Sequence, residues 1–218
     1  MTALAIFDLD NTLIDRGEAL TSWSAEFCVS RGLGVEVEES IVKALSDRAY
    51  PIDLARLRDG LRLPDTPQSL WREFVEGMAA RVRPRPGVLA GLASLRSAGW
   101  KLAVVTNGAR EIQSEKLRHT GIAGLLDAVV VSANGPRKPD PSLFHTAAKE
   151  CGTSIDPEHW VIGDNPVTDI GGGRGVGVRT IWITNGHDWP EGLSAPDHAV
   201  HDPAGAISFL LDLQKERS

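Results

Sequence analysis

The most chemically suggestive residues of this 218-residue chain are two aspartates near its start, Asp8 and Asp10. They follow a short apolar run and are separated by one residue, so both would be partly desolvated and would repel each other. A bound divalent cation would offset that repulsion. The alternative is an ordinary turn, in which Asp10 or Asn11 caps the next segment.

Two later clusters carry groups that could meet an anion. Thr106 and Asn107, followed by glycine, precede a predicted helix and could donate hydrogen bonds to a negatively charged ligand. The alternative for this pair is a helix cap. Lys138 is followed by proline, which could hold a positive charge in place with limited freedom. The alternative for Lys138 is an exposed basic residue ahead of a helix.

A fourth cluster brings two more carboxylates. Asp164 follows Gly163 at the end of an apolar run, and Asp169 lies five residues further along. Gly163 would allow a close approach of the backbone to the acidic residues. Because Mg²⁺ prefers carboxylate oxygens and is usually held by few protein ligands, Asp8 and Asp164 on neighbouring strands could supply its ligands.

The apolar runs before these clusters are short, rich in Val and Ile, and do not alternate, which is typical of strands buried on both faces. The predicted strands are 3–7, 102–105, 128–131, 160–162 and 180–183, and the helices between and after them are 88–98, 110–120, 141–151 and 203–215. Strand and helix in alternation predict an α/β fold, a Rossmann-like parallel sheet with helices on both faces. Ligands of such sheets bind beyond the carboxyl ends of the strands, where all four clusters lie.

One segment breaks the alternation. Residues 16–85 contain no convincing strand, and helical patterns cover 18–31, 37–48, 53–61 and 68–82. We therefore predict a small all-helical domain over 16–85, inserted into a core domain formed by 1–15 and 86–218.

Composition excludes several classes of protein. Hydrophobic residues make up 42% and charged residues 24%, which argues against a disordered chain. The formal net charge of −6 makes nucleic acid an unexpected partner. No apolar run approaches the ~20 residues of a membrane span, so no membrane association is expected. Monomer and homodimer are both compatible with the sequence.

The cellular compartment is predicted from two features. Cys28 and Cys151 are the two cysteines of the chain, and a reducing cytoplasm is the simplest interpretation, although a disulfide between them stays open. The start of the chain, Met1 to Asp8, has no basic residue and reaches an acid within eight residues, unlike a secretory signal peptide.

Taken together, the four clusters resemble the motifs of the haloacid dehalogenase-like hydrolase superfamily. The order is Asp-x-Asp-x-Thr at Asp8, Thr-Asn at Thr106, Lys-Pro at Lys138 and Gly-Asp-x₄-Asp at Gly163. The resemblance extends over nearly the whole chain, and the helical insert resembles that family's cap domain. It implies a Mg²⁺-dependent phosphatase that acts on a small phosphorylated metabolite.

The resemblance also implies a role for each motif residue. Asp8 would be the nucleophile that forms an aspartyl-phosphate, and Asp10 the general acid and base. Mg²⁺ would be held by the Asp8 carboxylate, the Asp10 carbonyl oxygen and Asp164, with Asp169 in support. The residues that would bind the phosphoryl oxygens are Thr106, Asn107 and Lys138. Thr12 would hold the loop that aims the two aspartates.

Three alternatives to a phosphatase stay open, two of them enzymes of the same superfamily and one a protein without catalytic activity. An alkoxide leaving group needs a proton and a halide does not, so Asp10 favours phosphoryl transfer over dehalogenation. A phosphomutase uses the same core and differs in what the cap does to a bound intermediate. A non-catalytic phosphate-binding or regulatory module that keeps the fold is the alternative from another class.

Overall fold

One parallel sheet forms the centre of the computed structural model, which describes residues 3–133 and 135–216. Its six strands lie in the order β3-β2-β1-β4-β5-β6, and each neighbouring pair is parallel. The strands are β1 (Leu4–Phe7), β2 (Lys101–Asn107), β3 (Ala128–Ser132), β4 (Trp160–Gly163), β5 (Arg179–Ile183) and β6 (His198–Val200). The first strand thus lies inside the sheet, between the strands that precede the Thr106 and Asp164 clusters.

Helices cover both faces of this sheet, as predicted. Those of the core are α5 (Val88–Ser97), α6 (Arg110–His119), α7 (Pro141–Glu150), α8 (Gly171–Gly175) and α9 (Pro203–Glu216). Ala5 and Phe7 of β1 belong to one apolar cluster, which includes residues of α5, α6 and α9. Leu4 and Ile6 belong to a second cluster with residues of α7. Since successive strand residues point to opposite faces, the apolar run of β1 is buried on both.

The insert after β1 consists of four helices in the described residues. They are α1 (Arg16–Ser30), α2 (Val35–Leu45), α3 (Pro51–Leu61) and α4 (Pro67–Arg81). Trp23 stacks on Phe27 at 4.8 Å between ring centroids and meets the edge of Phe74 at the same distance. Gly77 of α4 makes room for this cluster, since a Cβ there would lie 2.4 Å from the Trp23 ring. These aromatic residues belong to the same apolar cluster as Phe7 of β1, so the insert packs continuously onto the sheet domain.

Two chain segments join the insert to the sheet. Ile14 pairs with Pro84 in an isolated antiparallel bridge, and the Arg85 amide donates to the Leu13 carbonyl at 2.9 Å. The segments entering and leaving the insert are therefore hydrogen-bonded to each other. The division into a domain over 16–85 and a core of 1–15 and 86–218 stays a prediction, and residues 1–2, 134 and 217–218 of that core range lie outside the described residues.

Local sequence explains where the site-bearing helices begin. Asp15 caps α1 by accepting a hydrogen bond from the Glu18 amide at 3.0 Å. Asp140 caps α7 by accepting from the Ser142 amide at 2.9 Å, and Pro141 occupies the first helical position. None of the described helices is long and apolar enough to cross a bilayer. Cys28 and Cys151 are both buried and unpaired.

Candidate active site

A tight turn after β1 brings Asp8 and Asp10 to the carboxyl edge of the sheet. The Asp8 amide continues the hydrogen bonding between β1 and β4, because it donates to the Ile162 carbonyl at 2.9 Å. The next residues turn sharply, because the amides of Leu13 and Ile14 both donate to the Leu9 carbonyl, at 2.9 and 3.2 Å. Asn11 has a φ of 59°, a left-handed conformation that asparagine tolerates better than most residues.

Lys138 reaches this turn from the loop before α7. Its Nζ lies 2.6 Å from Asp8 Oδ1 and 2.7 Å from Asp169 Oδ1, and the side chain is buried. The attraction of the two carboxylates outweighs burial and raises the pKa of Lys138 above its ordinary value. The ammonium group therefore stays charged and joins carboxylates that lie far apart in the sequence.

Three carboxylates converge beside this ammonium. Asp8, Asp164 and Asp169 each offer an oxygen, and these three atoms lie within 4.8 Å of one another. Burial raises the pKa of Asp8 to about 8, against the attraction of Lys138, and burial with repulsion from Asp169 raises the pKa of Asp164 to about 6. A cluster of oxygen ligands that repel one another, two of them buried and Asp164 partly buried, fits a hard divalent cation such as Mg²⁺.

Thr12 connects the β1 turn to the segment after β4. Its Oγ1 donates to Asp164 Oδ1 at 3.2 Å and accepts from the Asp164 amide at 3.1 Å. This hydroxyl therefore fixes Asp164 relative to the turn that carries Asp8 and Asp10.

The Thr106 and Asn107 side chains are already engaged by other protein groups. Asn107 accepts from the Lys138 amide at 2.9 Å and donates to the Lys138 carbonyl at 3.2 Å, so it positions the lysine backbone. Thr106 Oγ1 accepts from Gln113 Nε2 at 2.6 Å, which leaves the hydroxyl hydrogen available for another acceptor.

Asp10 has partners that the sequence interpretation missed. Lys116 of α6 places its Nζ 2.7 Å from Oδ1 and 2.9 Å from Oδ2, and Gln113 Nε2 donates to Oδ2 at 3.0 Å. Arg16 Nε lies 3.9 Å from the same oxygen. Burial alone would raise the pKa of Asp10, but Lys116 and Arg16 outweigh it and the pKa is lowered. Asp10 is thus held as a carboxylate.

A sequence signal for these two residues does exist. In α6 the apolar residues Ile112 and Leu117 are buried, and Gln113 and Lys116 lie on the same helical face with them. Both polar side chains are 1% exposed. Polar residues at buried helical positions need a partner, so their spacing indicates a functional or structural contact beneath the helix.

The helical insert, called the cap from here on, contributes to the wall of the site. A cavity of about 90 Å³ is lined by Asp8, Asp10, Asn11, Arg16, Asp47, Arg48, Thr106, Asn107, Lys138, Asp164, Asn165, Thr168 and Asp169. Both nitrogen arms of Arg16 donate to the carbonyls of Leu45 and Ser46 at 2.5 Å, so this residue also ties α1 to the end of α2. The fold thus brings every predicted site residue but Thr12 to one cavity, and the individual roles of these residues stay predictions.

Comparison with known proteins identifies the family. Residues 5–183 match the family model described as haloacid dehalogenase-like hydrolase. The chain belongs to the haloacid dehalogenase-like hydrolase family. The expectation from the four motifs is therefore confirmed, and the match includes the insert as well as all four clusters.

Two phosphatases and a solved structure are also similar to the chain. A phosphoserine phosphatase from Thermus thermophilus is 39% identical over 167 residues, which cover 74% of this chain and 66% of the relative, just under two thirds. A phosphoglycolate phosphatase from Aquifex aeolicus is 26% identical over 94% of this chain and 95% of its own length. A β-phosphoglucomutase-like structure from Thermotoga maritima, 18% identical, has a TM-score of 0.73 over 98% of this chain and 99% of that chain, which shows the shared fold.

Proposed function

We propose that this hydrolase is a Mg²⁺-dependent phosphatase that cleaves small phosphate monoesters through an aspartyl-phosphate on Asp8. One observation carries the proposal: Lys138 bridges Asp8 and Asp169, two of the three clustered carboxylates, in the cavity that also contains Asp10. A phosphate dianion would be repelled by a bare carboxylate, and the ammonium group supplies the opposite charge at the place of attack.

The reaction follows from the positions of the two aspartates. Asp8 attacks phosphorus as a carboxylate, and the bond from phosphorus to the ester oxygen breaks. Asp10, which Lys116 and Arg16 hold ionised before substrate binds, must first take up a proton from solvent, which the negative charge of the bound phosphate favours, and it then gives this proton to the departing alkoxide. Asp10 then takes a proton from the water that attacks the aspartyl-phosphate, and Asp8 leaves as a carboxylate. When bound, Mg²⁺ supplies charge neutralisation, held by Asp8, Asp164 and the Asp10 carbonyl with Asp169 in support.

The phosphate-binding residues have distinct parts in this proposal. Lys138 meets the charge on the phosphoryl oxygens, and Thr106 has a hydroxyl hydrogen free to donate to one of them. Asn107 acts through its hold on the Lys138 backbone, and its side chain lines the same cavity. Thr12 holds Asp164 at a fixed position relative to the turn that carries Asp8 and Asp10.

The names of the similar phosphatases support a small phosphorylated metabolite as the substrate. Phosphoserine and phosphoglycolate are accordingly the first substrates to test. The unpaired state of Cys28 and Cys151 supports action in a reducing cytoplasm.

The test is phosphate release from 4-nitrophenyl phosphate and from a panel of phosphorylated metabolites, with Mg²⁺ and with EDTA. We expect metal-dependent release in the wild type, loss of at least ~10³-fold in Asp8→Asn, and little change in Asp212→Asn, an exposed aspartate on α9. Acid-quenched protein should carry phosphate in the wild type but not in Asp8→Asn.

Two outcomes would favour the alternatives. Transfer of the phosphoryl group to an isomeric position, without release of inorganic phosphate, would identify a mutase. Binding of phosphate esters without turnover across the panel would identify a binding module.

A further inference from the structure

We infer that Lys116 is a positioning residue that fixes the Asp10 carboxylate for proton transfer, acting together with Gln113. The inference rests on the proposed function, because it assigns a task to Asp10 in that reaction. Lys116 is outside the four motifs and belongs to the middle of α6. Its contact with Asp10 joins residues 106 positions apart in the sequence.

The geometry holds both carboxylate oxygens of Asp10 at once. Lys116 Nζ lies 2.7 Å from Oδ1 and 2.9 Å from Oδ2, while Gln113 donates to Oδ2 at 3.0 Å. A short acidic side chain can rotate about two bonds, and contacts to both oxygens restrict that rotation. Proton transfer requires the carboxyl group within hydrogen-bond reach of the ester oxygen, so a fixed orientation serves this step.

The ammonium group of Lys116 has no capacity left for another role. It has three hydrogens, and its three close acceptors are the two oxygens of Asp10 and Gln113 Oε1, the last at 2.9 Å. Such a saturated and buried group cannot also bind the substrate. Lys116 therefore acts on the reaction through Asp10.

Stability alone does not account for a charged pair in this place. Taking an ammonium and a carboxylate out of water is costly, and well-packed apolar residues of similar volume often stabilise a core equally well or better. The apolar neighbours Ile112 and Leu117 show that this face of α6 is otherwise built for apolar packing. The ion pair between Lys116 of α6 and Asp10 of the turn after β1 is explained by its effect on the Asp10 carboxylate.

Gln113 extends the same network to the predicted phosphate site. Its Nε2 donates to Thr106 Oγ1 at 2.6 Å as well as to Asp10. Gly108 allows this approach, because a Cβ there would lie 3.2 Å from the Gln113 side chain. Helix α6 therefore sets the distance between Asp10, which gives the proton, and the Thr106 hydroxyl, which donates to the phosphoryl oxygens.

The test compares two substrates that differ in their need for a proton. An alkyl phosphate releases an alkoxide and needs protonation, whereas 4-nitrophenyl phosphate releases a stable phenolate and needs little. We expect Lys116→Met to lower kcat/KM for the alkyl phosphate by ~100-fold, as expected for a misplaced catalytic group, and for the aryl phosphate by only a few-fold. Lys149→Met, an exposed lysine of α7, is the matched control and should change neither value.

A second comparison, between Asp10→Asn and the double variant that also carries Lys116→Met, separates an effect on Asp10 from a folding defect. Lys116→Met alone leaves the buried Asp10 charge without its main partner, whereas Asp10→Asn with Lys116→Met removes both charges. If Lys116 acts through Asp10, the double variant should have the same kcat/KM as Asp10→Asn alone, within about a factor of two. Thermal unfolding of each variant reports on folding separately.

The results separate this inference from the proposed function. Equal losses on both substrates in Lys116→Met, or a further loss in the double variant, would show a structural role and overturn the inference while the phosphatase assignment stands. Failure of the wild type to hydrolyse any phosphate ester would refute both.

Discussion

Replacing Gly163 by alanine tests the acidic cluster through a single methyl group. Gly163 ends β4, and a Cβ at this position would lie 2.3 Å from Asp169 Oδ2 and 2.5 Å from its Cβ and Cγ. The φ of Gly163 is not in the left-handed region, so alanine can adopt this backbone conformation. The substitution therefore tests the contact between the new methyl group and Asp169. Real carbon contacts begin near ~3.5 Å, which means that Asp169 would have to move by about 1 Å.

Asp169 cannot make that movement freely. It is buried, it accepts from Lys138 Nζ at 2.7 Å, and it accepts from the Asn165 amide at 3.0 Å. Overpacking of this kind costs about 1–3 kcal/mol of unfolding free energy. A displacement of about 1 Å at a site that positions reacting groups costs ~100-fold in activity. We therefore expect Gly163→Ala to lose ~100-fold in kcat/KM while remaining folded.

The assay combines phosphate release with thermal unfolding in the presence and absence of Mg²⁺. The wild type should gain stability on adding Mg²⁺, because a ligand that binds the folded state raises the unfolding temperature, and Gly163→Ala should gain less. Gly175→Ala in α8 is the control, since a Cβ there has no neighbour within 4 Å. Wild-type kcat/KM and a wild-type response to Mg²⁺ in Gly163→Ala would show that the position of Asp169 does not limit metal binding or activity.

Three other substitutions test separate parts of the structure. Asp127→Asn should lower the unfolding free energy by about 1–2 kcal/mol at neutral pH, because bonds from the Leu102 amide and Lys101 outweigh burial and lower the pKa of Asp127. That stabilisation is lost as pH falls through the lowered folded-state pKa, so the difference between the two proteins in urea unfolding should shrink progressively below pH ~4. Gly60→Ala, inside α3 with no neighbour within 4 Å, should raise the unfolding free energy by about 0.5–1 kcal/mol in a thermal scan. Arg48→Ala should raise KM a few-fold with little change in kcat in steady-state kinetics, since Arg48 lines the cavity from the cap side.

The order of elements along the chain was accessible from the sequence because each pattern is local. Short apolar runs predicted five strands that the structure confirms, and the structure adds β6 (His198–Val200) at the sheet edge. Helix ends were less well defined, since the predicted helix 37–48 spans Val35–Leu45. The arrangement of strands across the sheet depends on contacts between distant segments, which no local pattern contains.

The same difference applies to the candidate site. Asp8, Lys138 and Asp164 stand at the ends of strands or in a loop with proline, where position itself indicates a functional group. Lys116 and Gln113 lie inside a helix, where a polar residue is most often on the solvated face. Their spacing with Ile112 and Leu117 indicates a buried face, but only the packing of α6 over the β1 turn shows that the partner of this face is Asp10.

The two aspartates of the turn therefore have opposite electrostatic surroundings, although one residue separates them. Around Asp8, three carboxylates face one ammonium, which leaves two negative charges when all are ionised, the charge that a divalent cation neutralises. Around Asp10, one carboxylate faces Lys116 and Arg16, which leaves a positive charge that attracts a phosphate ester. In the proposed reaction, Asp8 therefore needs a cation to be ionised as the nucleophile, and Asp10 needs the charge of a bound phosphate ester to be protonated as the acid. The repulsion expected for Asp-x-Asp from the sequence is resolved by separate partners, supplied to each aspartate by a different part of the chain.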